Sequence, residues 1–386
     1  MKKMPQMVLE DIFEETCEKN HPDAEVLTII QGVGTVPREQ SGREIIYDKN
    51  SLAGYKFVKK GDFIIHLRSF EGGLEVANSD GIVSPAYIIL RPKIEVSTTY
   101  LYALFHTNRF INQTMAPAVE GARDGRSVKY DVLKQQKILF PPLSEQKKIA
   151  EILATQDRVI ELKEKLIAEK QSQKKYLMSV LLGDDFKKPF KLNGVIIDKK
   201  KWEKKKLGDV CVFRDSERRP IKEGNRKKGL YPYYGASGII DYVEDYIFDG
   251  SFILLGEDGA NIIFRSSPLA FKVEGKIWVN NHAHVLVPKA GNDIDFLVNR
   301  LESLNYEKFN TGTAQPKLNQ DVIEKIEVFM PSLPEQKAIA DVLSAADEEI
   351  SLLQKDLEQE KLKKKSMMQL LLTGLVRVNN LQETSK

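Results

Sequence analysis

The chain has few cysteines and no long apolar run, and each of these absences excludes a class of protein. Its 386 residues include only two cysteines, Cys17 and Cys211, which excludes a disulfide scaffold and suits a reducing compartment. No run of eighteen apolar residues occurs, so a membrane-spanning helix is not expected. The residues after Met1 do not form the apolar segment of a secretory signal. Together these observations predict a cytoplasmic protein without membrane contact.

The sequence also lacks the local motifs of several common catalytic sites. It contains no Gly-x-x-x-x-Gly-Lys-Ser/Thr phosphate loop, no Gly-x-Gly-x-x-Gly turn and no Gly-x-Ser-x-Gly elbow. His282 and His284 are the only closely spaced histidines in the sequence, which is a thin signature for a metal site. We expect one histidine in the core and one on the surface, and no metal site.

Three residues leave open the alternative of a metal-dependent nuclease. Asp258, Glu274 and Lys276 are residue types that such enzymes use as a carboxylate cluster and a lysine. However, Glu274-Gly275-Lys276 is expected to form a turn between two strands, which would not direct both side chains into one rigid site. We therefore expect no catalytic residues in this chain.

Two long segments of the chain repeat each other at an offset of 190 residues. Residues 139–182 match residues 329–372 at 17 of 44 positions, and both open with Pro-x-Leu-x-Glu-Gln-Lys-x-Ile-Ala. Apolar residues then recur at steps of three and four, which predicts two helices with a heptad seam. Gly183 and Gly374 follow the helices, and Ser332 with Glu335 has the spacing of a capping box. The seam residues are Ile149, Leu153, Ile160, Ile167, Leu177, Leu181, Leu343, Ile350, Leu353, Leu357, Met367 and Leu371.

We expect the two helices to form an antiparallel coiled coil. Alone, each helix would leave its seam exposed, and the two seams are equal in length. Antiparallel pairing follows if the domain between the helices bridges the end of the first and the start of the second. An internal pseudo-twofold repeat would then relate the two halves. The alternative is that each helix packs only on its own globule.

Outside the helices, residues 1–138 and 190–328 are predicted to be mixed globules, which gives an α+β fold class. Strand candidates are residues 63–67 and 86–90 in the first globule, and residues 252–255, 262–264 and 284–287 in the second. Gly61-Asp-Phe-Ile-Ile resembles Gly250-Ser-Phe-Ile-Leu, so the globules are expected to share a fold. Because their other residues differ greatly, we expect them to recognise two different things.

Charge and polar segments favour DNA binding over catalysis. The net charge is only +3, but residues 199–228 contain thirteen basic and five acidic residues, a local excess of 13 − 5 = +8. The candidates for DNA contact in the second globule are Lys204, Lys205, Lys206, Arg214, Arg218, Arg219, Tyr233, Tyr234, Ser237, Asn261, Asn280, Asn281, His282, Thr313, Gln315 and Lys317. In the first globule they are Arg68, Ser69, Arg123, Arg126, Ser127 and Lys129.

Several motifs resemble the specificity subunits of type I restriction–modification systems. They are the repeated helix opening, Trp202-Glu-Lys-Lys-Lys-Leu-Gly-Asp-Val, Pro232-Tyr-Tyr-Gly-Ala-Ser-Gly, Gly256-Glu-Asp-Gly-Ala-Asn and Gly312-Thr-Ala-Gln-Pro-Lys-Leu-Asn. The first globule departs from the family pattern. It has Met7-Val-Leu-Glu-Asp-Ile where the family has Trp-x-x-x-x-Leu-Gly-Asp, and it lacks the Gly-Thr-Ala-Gln-Pro-Lys loop.

The resemblance implies a non-catalytic subunit with two target recognition domains, each reading one half of a bipartite, asymmetric site in double-stranded DNA. The implied segments are recognition domains at 1–142 and 184–331, conserved helices at 143–183 and 332–374, and a tail at 375–386. The paired helices would set the spacer and dock two modification subunits, which restriction subunits can join. S-adenosylmethionine, ATP and magnesium are expected on those partners only, and no cofactor on this chain. A coiled-coil adaptor that binds no DNA remains the other alternative.

Overall fold

The computed structural model describes residues 4–42, 49–65, 73–121, 127–183, 188–312 and 315–378. The chain divides into two compact units. Unit 1 consists of residues Met1–Lys163 and Asp356–Lys386, and unit 2 of Glu164–Lys355. Within the described ranges, no helix combines the length and apolar character needed to cross a bilayer.

Unit 1 is built around a four-stranded antiparallel sheet with the strand order β2-β9-β6-β7. Phe63 and Ile65 of β6 pack on the helical side of the sheet, while Ile64 packs on the other side against β3 and β5. The elements are β1 Gln6–Val8, α1 Leu9–Ile12, β2 Phe13–Thr16, β3 Leu27–Ile30, β4 Gly34–Pro37, β5 Lys56–Val58, β6 Phe63–Ile65, β7 Leu74–Val76, β8 Gly81–Val83, β9 Ile88–Pro92, α2 Thr98–Phe105, β10 Val119–Glu120, β11 Ser127–Val128, α3 Tyr130–Leu133 and β12 Lys137–Leu139.

Unit 2 repeats this sheet and extends it to six strands in the order β16-β21-β19-β20-β17-β18. Its elements are β13 Phe190–Leu192, β14 Val195–Ile197, β15 Glu203–Lys206, α5 Leu207–Val210, β16 Cys211–Phe213, β17 Lys228–Gly235, β18 Gly238–Val243, β19 Phe248–Gly256, α6 Asn261–Phe264, β20 Ala270–Val279, β21 Ala283–Pro288, α7 Ile294–Glu302, α8 Gln320–Ile323 and β22 Glu327–Met330. Its first four strands match β2-β9-β6-β7, which confirms the predicted shared fold.

The sequence similarity between the two sheets is displaced by one residue from the structural equivalence. It aligns Phe63 with Phe252, but Phe63 pairs with Leu90 as Ile253 pairs with Leu286. Phe63 and Ile253 both pack on the helical side of their sheet, whereas Phe252 packs on the opposite side. Since a shift of one residue turns a strand over, Ile253 is the true equivalent of Phe63.

Two local expectations for the second globule are wrong. Residues 262–264 form the helical turn α6 rather than a strand, because the side chain of Asn261 bonds both the amide and the carbonyl of Ser267 and closes a tight loop. Residues 274–276 are not a turn but lie inside β20. Gly275 and Gly250 face each other across the ladder with φ values of +84° and +142°, so the strand bends without ending.

The long helices are α4, Leu143–Leu182, and α9, Leu333–Leu372. They pair in antiparallel fashion, which is the predicted arrangement, and every predicted seam residue is buried or half-buried. In unit 1, the Gln156 amide donates to the Glu360 carboxylate at 2.6 Å, and Lys364 contacts Asp157 at 2.5 Å. In unit 2, Lys174 contacts Asp347 at 2.5 Å, and the offset of 190 converts this pair into Lys364–Asp157. The repeat is therefore present in individual contacts.

Candidate nucleic-acid interface

The predicted contact residues of the first globule are only partly described by the structure. Arg68, Ser69, Arg123 and Arg126 lie outside the described residues, as does Thr313 of the second globule. Ser127 is exposed on β11, and Lys129 forms an ion pair with Glu120. The choice of contacts in unit 1 therefore stays a prediction.

The lysine run of the second globule lies on a separate small sheet. Lys204, Lys205 and Lys206 are exposed on β15, which pairs with β22 and not with the six-stranded sheet. Lys204 contacts Glu327 at 2.5 Å, and Lys205 contacts Glu203 at 2.9 Å. These acids neutralise part of the local charge, so the free positive field of this strand is smaller than the sequence count indicates.

The three candidate arginines have three different environments. Arg214 contacts Glu217 at 2.5 Å, and its hydrogen bond lowers the pKa of the Glu217 carboxyl. Arg218 is turned inward and contacts Glu257 at 2.5 Å. Arg219 is exposed, and its backbone carbonyl accepts a hydrogen bond from the Trp278 indole at 2.6 Å. Of the three, only Arg219 projects into solvent without a described side-chain partner, so its guanidinium is the most accessible.

The candidate tyrosines are less available than their sequence context suggested. Tyr233 is 1% exposed, its hydroxyl accepts from the Ile221 amide at 2.9 Å, and the Arg226 guanidinium lies over its ring. Tyr233 therefore lies on the buried face of β17, and we remove it from the base-contact candidates. Tyr234 is half-buried, and burial raises the pKa of its hydroxyl. Ser237 is exposed in the turn between β17 and β18.

The candidate residues just before β21 also differ in exposure. Asn280 is 4% exposed, and its side-chain oxygen accepts from the His282 amide, so Asn280 shapes the turn rather than reading bases. Asn281 and His282 are exposed, and His282 contacts Asp258 at 2.7 Å. His284 is 1% exposed. The prediction of one histidine on the surface and one in the core is therefore confirmed.

The remaining candidates lie on two loops beside this turn. Asn261 is committed to its own loop through Ser267, whereas Gln315 and Lys317 are exposed. Asn310 holds the second loop closed by accepting from the amides of Gly312 at 3.0 Å and Lys317 at 2.8 Å. A Cβ atom on Gly312 would lie 1.8 Å from the Gln315 carbonyl, so only glycine fits there.

The proposed nuclease residues are not brought together. Asp258 contacts His282, Glu274 contacts Lys272 at 2.9 Å, and Lys276 lies over the Tyr246 ring at 4.5 Å. Asp215, Glu257 and His284 do converge, with ligand atoms within 4.8 Å of one another. Sequence reasoning missed this cluster because Asp215 and Glu257 lie 42 residues apart by number, 257 − 215, with no shared motif.

Sequence reasoning also missed why Glu-Gln recurs at the start of each long helix. Gln146 accepts from the Ser97 amide at 3.0 Å, and Gln336 accepts from the Asp293 amide at 2.8 Å. Ser97 and Asp293 are the N-caps of α2 and α7. Each glutamine therefore fixes the long helix to the N-terminus of α2 or α7 in the same unit.

The glutamates of this dipeptide are also buried anchors, but their partners differ. Glu145 receives two hydrogen bonds from the Arg377 guanidinium, at 2.7 and 2.6 Å. Glu335 instead accepts from the amides of Asp198 and Ser332, the Ser332 hydroxyl and the Trp202 indole. Burial acts to raise the pKa of Glu335, but these hydrogen bonds outweigh it, so the pKa is lowered.

Known proteins share both the sequence pattern and the fold of this chain. The family pattern described as type I restriction modification DNA specificity domain matches residues 10–170 and 199–362. The chain belongs to this specificity family. It is 27% identical to the type I restriction enzyme MjaVIII specificity subunit of Methanocaldococcus jannaschii, over 96% of this chain and 89% of that protein. The 27% identity to the EcoprrI specificity subunit of Escherichia coli covers 39% of this chain and only 37% of that relative.

Solved structures of the specificity family have the same fold at low sequence identity. The S subunit from M. genitalium aligns with a TM-score of 0.58 and 15% identity, over 95% of this chain and 96% of that one. A chain from a structure of complex assembly and conformational transition in the type I R-M system aligns with a TM-score of 0.61 and 13% identity, over 96% and 99%. The predicted family and fold class are therefore confirmed.

Proposed function

We propose that this chain is the DNA-reading subunit of a type I restriction–modification complex, in which each domain reads one half of a bipartite, asymmetric site. The observation that supports this most directly is the combination of a shared sheet with different exposed residues. A symmetric dimer reads a palindrome because its readers are identical, whereas two diverged readers can recognise two unrelated half-sites.

In unit 2 the base contacts are assigned to Asn281, Gln315 and Ser237, and phosphate contacts to Arg219, Lys206 and Lys317. All six side chains are exposed. Asparagine and glutamine amides pair in bidentate fashion with adenine, and each such pair discriminates by about 1–3 kcal/mol. The basic side chains supply sequence-independent affinity that falls as salt rises.

The chain is proposed to be non-catalytic and to carry no cofactor of its own. The paired helices would dock two modification subunits, which methylate adenine with S-adenosylmethionine after flipping it out of the duplex. ATP and magnesium would serve restriction subunits where these join the complex. Incubating the purified chain with magnesium and plasmid tests the nuclease alternative, because this proposal expects the plasmid to remain intact.

The decisive experiment is single-molecule sequencing of adenine methylation in cells that carry the chain and its modification partner. We expect a two-part motif with a fixed gap that is lost when the gene is deleted. An unchanged methylation pattern, with the complex shown to assemble, would favour the adaptor without DNA binding.

Shortening the helices tests whether they set the spacer. Residues 164–167 and 352–355 lie between the contacts Lys163–Asp356 and Lys170–Glu349, so their deletion removes facing segments. Losing four residues from each helix shortens the coiled coil by about 6 Å, or roughly two base pairs. The gap in the methylated motif should contract while both half-sites stay the same; an unaltered gap in an assembled complex contradicts this role.

A further inference from the structure

A buried cluster of ionisable side chains joins four segments of unit 2 that carry candidate contact residues. It consists of Asp215, Arg218, Glu257 and His284, and is called the 215–284 cluster below. Arg218 contacts Glu257 at 2.5 Å and Asp215 at 3.3 Å. His284 contacts Asp215 through Nδ1 at 2.5 Å. The guanidinium thus bridges the two carboxylates.

Each member of the cluster also fixes a backbone segment. Asp215 accepts from the Val285 amide at 2.8 Å, and Arg218 donates to the Ala283 carbonyl at 2.8 Å. His284 Nε2 contacts the Leu318 carbonyl at 2.9 Å. The Glu257 backbone bonds both neighbouring segments, donating to the His282 carbonyl at 2.9 Å and accepting from the Leu318 amide at 2.7 Å. The cluster therefore holds together segments 215–219, 257–261, 280–284 and 315–318.

These four segments carry most of the exposed contact candidates of unit 2, namely Arg219, Asn281, His282, Gln315 and Lys317. Lys317 also contacts Glu257 at 3.2 Å, so one candidate is tied to the cluster directly. Base discrimination requires side chains held within a fraction of an ångström of their partners. Loosening the cluster would therefore let these side chains accept a wrong base.

We propose that Asp215, Arg218, Glu257 and His284 are positioning residues that set the sequence specificity of the second recognition domain; this rests on the function proposed above. The first domain has no such cluster at the equivalent described positions. Strand pairing places Cys17 and Ile88 where unit 2 has Asp215 and His284. The effect of disrupting the cluster is therefore confined to one half-site.

The test is the variant Glu257→Gln in the full complex, read by single-molecule sequencing of adenine methylation. Glu274→Gln is the matched control, because Glu274 is an exposed, ion-paired glutamate in the same domain. We expect one half of the motif to become degenerate, with methylation of singly mismatched sites rising about tenfold relative to the cognate site. The other half and the gap should remain as in the wild type and in Glu274→Gln.

A purely structural role predicts a different result, in which total methylation falls but both half-sites keep their stringency. That result, or an unchanged pattern, overturns the proposal. If Glu257→Gln does not assemble, Arg218→Lys keeps the charge but loses the forked contact, and the same two readouts decide. Failure of the proposed function itself is distinguishable, because the wild-type complex would then yield no two-part motif.

Discussion

Units 1 and 2 each hold the start of a long helix through a Glu-Gln dipeptide. The glutamate has a charged partner in unit 1 and neutral partners in unit 2. In unit 1 the Glu145 carboxylate is 0% exposed and faces the Arg377 guanidinium. In unit 2 Glu335 is surrounded by neutral donors from Trp202, Ser332 and Asp198. A repeat can therefore keep the same acceptor while the donors around it are exchanged.

The exchange explains the departure of the first globule from the family pattern. Gln6 pairs with Leu139 as Lys204 pairs with Phe329, so Met4 lies where unit 2 has Trp202. The Met4 side chain is buried but has no N–H group to donate to Glu145, and Arg377 supplies the donors instead. In unit 1 the Arg377 ion pair therefore takes the place of the missing tryptophan donor.

The largest effect is expected for Arg377→Met, which leaves the buried Glu145 carboxylate without its counter-charge. Breaking a buried ion pair on one side costs about 3–5 kcal/mol. Amide hydrogen exchange should accelerate in unit 1 and not in unit 2. The control Arg158→Met removes an exposed ion pair, Arg158–Glu161, on α4, the helix that carries Glu145. The double variant Arg377→Met/Glu145→Met should recover most of the loss; no recovery would mean that charge is not the cause.

Glu335→Gln is expected to have a smaller effect, about 1–3 kcal/mol at neutral pH, because the amide keeps one acceptor oxygen. Since the pKa of Glu335 is lowered from its ordinary 4.5, its stabilisation is present above pH 4.5 and is lost as pH falls through the folded-state value. The difference in hydrogen exchange between wild type and variant should therefore close in acid. A difference that persists at low pH would contradict the charged anchor.

His106→Gln should show the opposite pH dependence in unit 1. Burial acts to lower the pKa of His106, but its contacts with Glu75 at 3.1 Å and the Tyr102 carbonyl outweigh this and raise it. Its stabilisation is therefore present below pH 6.5 and is lost as pH rises through the raised value. The variant should be less stable by about 1 kcal/mol in mild acid and match the wild type at alkaline pH. Equal differences across this range would exclude the Glu75 contact as the cause.

The smallest effects are expected where the two halves are most alike. Lys174→Gln and Lys364→Gln each remove one coiled-coil ion pair whose acidic partner is half-exposed. Each should cost about 0.5 kcal/mol, and less at high salt. Thermal unfolding of both variants tests whether the two costs are equal. A difference above about 1 kcal/mol would show that the two ion pairs are not equivalent.

The helices were predictable because a seam of apolar residues over forty positions is a long and periodic signal. The central strands were predictable for the same reason, and their similarity correctly indicated a shared sheet. Three apolar residues at 262–264 are too short for periodicity to distinguish a strand from a helical turn, and there the prediction was wrong.

The contact residues were less predictable because residue type does not give orientation. Tyr233 and Tyr234 are adjacent and chemically identical, but strand alternation buries the first and leaves the second half-exposed. The Glu145 and Glu335 anchors were hidden for another reason. Their partners lie far away in the chain, at Arg377 and Asp198, and no local pattern connects them.

The Glu145–Arg377 ion pair links the stability of the first domain to the order of translation. The ribosome makes Glu145 before all of unit 2, Glu164–Lys355, and Arg377 after it. At typical elongation rates the 192 intervening residues of unit 2 (355 − 163) take roughly 10–40 s to synthesise. During this interval Glu145 has been synthesised but Arg377 has not. The first domain, although made first, is therefore completed only after the second.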